Sequence, residues 1–128
     1  MAAICIEFEI EATADAVWAV TGDWAEGPVR MAPGHVLTSR AEGDIRVVEF
    51  ADGTVVRERM VARENDIRRI VYSLIGIEHD NAVMQIVPVA AGRCRFVWSR
   101  DVLPDDAAGQ LRAAMETAAP IISDALGS

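Results

Sequence analysis

Glu58 is the residue whose place in the sequence most needs a chemical explanation. In the run VVRERMVAR, residues 55–63, successive side chains of an extended strand point to opposite sides. Arg57, Arg59 and Arg63 then share one face, and Val56, Glu58, Met60 and Ala62 share the other. A carboxylate on that apolar face loses several kcal/mol of hydration unless it gains partners or a proton. A polar ligand in a pocket is the simplest reading, with Glu58 as acceptor or, in an enzyme, as general base. An internal ion pair with Arg46 or Arg100, both expected on the concave side of nearby strands, is the alternative. Tyr72, on the same expected face as Ile70 and Leu74, would bring a phenol beside Glu58. His79, expected in a loop, could donate to a ligand carbonyl or shuttle a proton near neutral pH, although Glu78 and Asp80 give it ordinary partners. Glu58, Tyr72 and His79 are thus the candidate catalytic or polar-contact residues.

Other chemistries are excluded or unsupported. All twelve basic residues are arginines, so lysine Schiff-base and lysine general-base mechanisms are ruled out. No serine sits in a Gly-x-Ser-x-Gly elbow, and no glycine-rich phosphate loop is present. His35, His79 and the nearby acids have no recognised metal-ligand spacing, so neither metal nor cofactor is expected. A net charge of −8 repels phosphate backbones, which argues against nucleic acid as a partner. No run approaches the ~18 apolar residues of a membrane span. Cys5 and Cys94, in apolar runs without a leader segment, fit small buried hydrophobes in a reducing cytoplasm. A homodimer is left open.

The elements that must position these residues follow from periodicity. Ile4 to Ile10 alternates as a half-buried strand, and Thr13 caps a helix that turns Val17, Trp18 and Val20 inward. Gly27, Pro28, Pro33 and Gly34 allow only a short second helix. Strands are expected at about 35–41, 45–51, 54–63, 67–75, 81–89 and 93–101, separated by turn-formers such as Asp52-Gly53. Pro104-Asp105-Asp106 opens a closing helix with Leu111, Met115, Ala119 and Ile122 at helical spacing and a kink at Pro120. The 128 residues form one expected domain of α+β class, a curved seven-stranded antiparallel sheet wrapped around a long C-terminal helix. The space between them is the expected cavity. Its inward-facing lining is Val48, Phe50, Val56, Glu58, Met60, Tyr72, Leu74, Met84, Ile86, Phe96, Trp98, Met115 and Ala119, with His79 at its edge.

This order resembles the helix-grip fold of the START and birch-pollen-allergen (SRPBCC) superfamily over essentially the whole chain. Val17-Trp18, Gly43-Asp44-Ile45-Arg46, Glu58-Arg59-Met60, Tyr72-Ser73-Leu74-Ile75-Gly76, and Trp98 with Pro104 carry the resemblance. The pattern is most similar to the polyketide cyclase/dehydrase and lipid-transport group and to the plant abscisic acid receptors, whose Glu-Arg-Leu strand and Gly-Gly-Glu-His-Arg-Leu latch match Glu58 and Gly76 to His79. Asp80-Asn81 replaces the receptor Arg-Leu, and the hairpin at Ala51 to Thr54 is too short for the receptor gate, so a hormone-receptor role is not expected. The ligand-binding lysine of those receptors and the catalytic lysine of the superfamily's plant condensing enzymes have no counterpart here. The resemblance implies binding or transport of a hydrophobic, partly oxygenated lipid- or polyketide-like molecule. Two alternatives accompany it: a cofactor-free cyclase or dehydratase using Glu58 as base, and a protein-interaction module with a filled cavity.

Overall fold

Hairpin after hairpin builds the sheet, because each strand ends in residues that reverse the chain. A computed structural model describes residues 1–127. Strand β1 (Ala2–Ile10) is followed by helices α1 (Ala14–Thr21) and α2 (Gly27–Met31), then by β2 (Val36–Glu42), β3 (Ile45–Phe50), β4 (Val55–Glu64), β5 (Arg69–Leu74), β6 (His79–Ala90) and β7 (Arg93–Leu103). Helix α3 (Ala108–Leu126) closes the chain. The strands form one antiparallel sheet in the order β1-β7-β6-β5-β4-β3-β2. Gly53 and Gly76, with φ of 91° and 104°, turn the β3–β4 and β5–β6 connections where a Cβ would be strained. The helix-grip architecture is therefore the observed one.

Local chemistry explains the element ends. Thr13 accepts a 3.2 Å hydrogen bond from the Ala16 N–H, capping α1. Some boundaries differ from the sequence expectation. β5 starts two residues later than expected because a 3₁₀ turn at Asn65–Ile67 and Arg68, with φ of +53°, intervene. β6 begins at His79, opposite Leu103, so the turn before it is shorter than the periodicity suggested. Pro104 leads into a 3₁₀ turn at Asp105–Ala107, and α3 begins only at Ala108, continuing unbroken through Pro120.

The two halves of the concave face are covered differently. On the β1 side, α3 packs directly against β1 and reaches α2. Ile4, Ile10, Val17, Phe96, Met115 and Ile122 are buried there, and Phe8 stacks on Phe96 with ring centroids 4.7 Å apart. Full burial of each such side chain contributes roughly 1.5–3 kcal/mol. Over β3, β4 and β5 the helix offers Ala113, Ala114, Thr117 and Ala118, side chains too short to fill the gap to the sheet. The core is thus dense at one end and hollow at the other.

Candidate functional site

The hollow end consists of two adjoining chambers. The larger, about 570 Å³, lies between the sheet and α3. Val56, Leu74 and Trp98 wall it from the sheet, Leu111, Met115 and Ala118 wall it from the helix, and Asp52, Thr54 and Gln110 contribute polar edges. A smaller chamber of about 80 Å³ lies beneath α2, bounded by Met31, Ala32, Val36, Val48, Met84 and Ile122. His35, Phe50, Glu58, Tyr72, Trp98 and Ala118 line both and form the waist between them.

Strand register places the charged groups of the waist. Arg46 on β3 is the direct cross-strand partner of Glu58 on β4, and its Nε donates a 2.7 Å hydrogen bond to Glu58 Oε1. The guanidinium lies 4.0 Å over the Trp24 ring and 5.0 Å from the Tyr72 ring centroid, and Nη1 donates at 3.4 Å to the Trp24 carbonyl. Arg100 on β7 lies 5.6 Å from the Tyr72 centroid and pairs elsewhere: its Nε is 3.0 Å from Asp80 Oδ1, an ion pair without hydrogen-bond alignment. Asp80 also accepts at Oδ2 from the Leu74 N–H at 2.8 Å. Burial pushes the Asp80 carboxyl above its usual range, with Arg100 pulling the other way. Two buried pairs therefore leave the floor of the site formally neutral.

Between those pairs stands Tyr72, 1% exposed. Its hydroxyl accepts a 3.0 Å hydrogen bond from Trp98 Nε1, and among the described residues no acceptor takes the hydroxyl proton. Burial raises the pKa of the phenol above its ordinary value, an effect that Arg100 opposes. The group is a neutral donor held at the waist. It is suited to a ligand carbonyl or hydroxyl oxygen.

Of the residues singled out in the sequence, Val48, Phe50, Val56, Glu58, Tyr72, Leu74, Met84, Trp98 and Met115 lie along the two chambers. Ile86 and Phe96 instead belong to the dense end of the core, and Met60 packs half-buried against it. Alternation identified their inward face, but it carries no information on which part of that face the helix covers. Ala119 gives way to its neighbour Ala118 as a lining residue. His79 opens β6 on the face opposite to buried Asp80 and away from both chambers. The histidine that does reach the waist is His35, held there by an edge-on contact with Phe50, centroids 5.5 Å apart, and by a 2.9 Å bond from the Ala51 N–H to its carbonyl. Its signal in the sequence was its place beside the Pro33-Gly34 turn that delivers the chain to β2. Among the described residues no cluster of three metal-ligating side chains occurs.

An open-ended sheet gripping one long helix around a partly hollow interior defines the helix-grip, SRPBCC class. Residues 1–127 match the model of the family described as polyketide cyclase / dehydrase and lipid transport, and the chain belongs to that family. Among solved structures, it is similar to an uncharacterised protein from Bacillus thuringiensis at 16% identity, with a TM-score of 0.85 and 98% of each chain covered. It is also similar to norcoclaurine synthase from Thalictrum flavum in complex with dopamine and hydroxybenzaldehyde, at 21% identity and TM-score 0.71, covering 96% of this chain and 84% of the other. The di-domain ARO/CYC BexL of the BE-7585A biosynthetic pathway shares 16% identity and a TM-score of 0.74, with 98% of this chain and 45% of BexL covered. At these identities the similarity establishes the fold. No curated protein sequence matches the chain. No helix among the described residues is long and apolar enough to cross a membrane.

Proposed function

We propose that the chain is one ligand-binding domain that holds a hydrophobic, partly oxygenated small molecule between its sheet and α3. The observation that carries this reading is the Tyr72 hydroxyl, buried at the waist of an otherwise largely apolar space with its proton unclaimed. The larger chamber, about 570 Å³, falls within the roughly 300–1,000 Å³ of small-molecule sites. Family membership supports the same ligand chemistry. Glu58, anchored by Arg46, supplies an acceptor beside the donor. Native mass spectrometry of the purified protein and thermal shift with aromatic polyketides, sterols and fatty acids test the reading. A ligand at 100-fold its Kd adds about 2.7 kcal/mol of stability. A protein that carries no compound and shifts with none of these classes would sink it.

A cofactor-free cyclase or dehydratase is the second reading, favoured because a proton donor, Tyr72, and a carboxylate, Glu58, line the same space between sheet and helix. The absence of lysine excludes a covalent Schiff base between substrate and a lysine side chain. Glu58→Gln separates the two readings. A general base loses about 100-fold or more in turnover with substrate still bound, whereas a ligand contact loses affinity.

A further inference from the structure

We infer that the small chamber beneath α2 measures the end of the ligand: beyond the oxygen that meets Tyr72, the ligand carries an unbranched alkyl terminus of two or three carbons. The inference rests on the ligand-binding reading above and adds the architecture of the molecule. At about 80 Å³ the chamber has several times the ~10–15 Å³ that one water needs, yet roughly half the ~150 Å³ of an apolar cavity that accepts benzene. A ring does not fit, but a short chain does. Most of its wall is apolar, formed by Met31, Ala32, Val36, Val48, Met84 and Ile122. Arg46 and Glu58 also border it, joined to each other by one 2.7 Å hydrogen bond, and Arg46 is further held by the Trp24 carbonyl and ring. The unclaimed donor stands at the waist and not at the chamber's end. The order along the ligand is therefore bulk beneath α3, oxygen at Tyr72, alkyl end beneath α2.

A series of 2-acylnaphthalenes from acetyl to hexanoyl, with 2-naphthol as the compound that has an oxygen and no alkyl end, tests this by calorimetric Kd. Affinity is expected to tighten about fourfold per added carbon up to butanoyl. It should then fall by about tenfold or more at pentanoyl and hexanoyl as the chamber overfills. Ala32→Val, which narrows the chamber, should move the optimum to a shorter acyl chain, and Val48→Ala, which widens it, to a longer one. Because the two variants act in opposite directions, a folding defect in either cannot imitate the pattern. Affinity that is flat or rises through hexanoyl, or an optimum that neither variant moves, overturns the inference. If 2-naphthol binds while the series is flat, only the subsite is lost. If neither 2-naphthol nor any acylnaphthalene binds, the subsite inference is overturned, while the ligand-binding reading falls only if native mass spectrometry and the thermal-shift panel are also blank.

Discussion

Arg46 and Glu58 face each other from directly opposed positions on β3 and β4, Nε to Oε1 at 2.7 Å, with side chains 3% and 11% exposed. The carboxylate that the sequence places on an apolar face is thus both an ion-pair partner and part of the cavity wall. Its presence alone is weak ground for stability, since desolvation of two charges offsets their attraction. Its removal is a different matter.

Glu58→Met and Arg46→Met should each destabilise by about 3–5 kcal/mol, because each leaves one charge buried without its partner. The double variant removes both charges and should cost less than either single change. Urea unfolding of the four proteins measures this, and additive costs would show that the pair is not coupled.

Tyr72 makes the alkaline limb of stability readable. It is the chain's single tyrosine, there is no lysine, and arginines stay charged throughout. Burial raises its folded pKa above the unfolded value near 10, so between those two values the native state holds a proton that the unfolded state has lost. Stability therefore falls as pH rises through that window. Thermal unfolding between about pH 9 and 11 should decline more steeply for wild type than for Tyr72→Phe, and tyrosinate absorbance should emerge later in native than in urea-unfolded protein. Parallel slopes would mean that the phenol is not desolvated. Cys94, whose thiol burial also raises, is common to both proteins and cancels in the comparison.

Period-two alternation made the concave face legible in advance, which is why Val48, Glu58, Tyr72, Met84 and Trp98 were all placed inward from sequence. Alternation is blind to coverage. Phe96 and Trp98 are two residues apart on one face of β7, yet Phe96 is sealed under Phe8 while Trp98 borders both chambers. The difference lies in α3, whose Ala113, Ala114 and Ala118 leave space where a larger residue would fill it; small residues on an amphipathic face were the available signal. His35 was harder to see: expected as the first residue of a strand, it lies in the turn before β2, where the Phe50 contact and the Ala51–His35 backbone bond hold it at the waist. Lack of a period let His79 read as a site loop when pairing with Leu103 draws it into β6.

The donor role of Tyr72 separates from its packing role in a comparison of two probes. Tyr72→Phe keeps the ring and removes the hydroxyl, so 2-naphthol should bind about tenfold more weakly, the worth of one hydrogen bond of roughly 1.5 kcal/mol. Naphthalene, with no oxygen, should lose little. Trp98→Phe should weaken 2-naphthol by less, because Trp98 Nε1 orients the Tyr72 oxygen at 3.0 Å. Equal losses for both probes in Tyr72→Phe would point to altered packing and remove the donor role.

Pro120 lies inside α3, where it lacks an N–H for the Glu116 carbonyl four residues back and crowds that turn. The position is exposed, so water can satisfy the carbonyl, while Met115 before it and Ile122 after it are both buried, at 1% and 3% exposure. The C-terminal part is tied down further by the Ser123 hydroxyl, which donates at 3.1 Å to the Glu9 carbonyl on β1. With both halves held, the helix continues through the proline at a local cost. Pro120→Ala should therefore stabilise the protein by up to about 3 kcal/mol in urea unfolding. Affinity for 2-naphthol, which has no alkyl end, should be unchanged, since α3 contributes to the larger chamber from residues 110–118, all ahead of the proline, and Ile122 beyond it borders only the small chamber. Destabilisation instead would mean that a bend at Pro120 is what lets Met115 and Ile122 seat at once, and that the substitution straightens the helix off one of them.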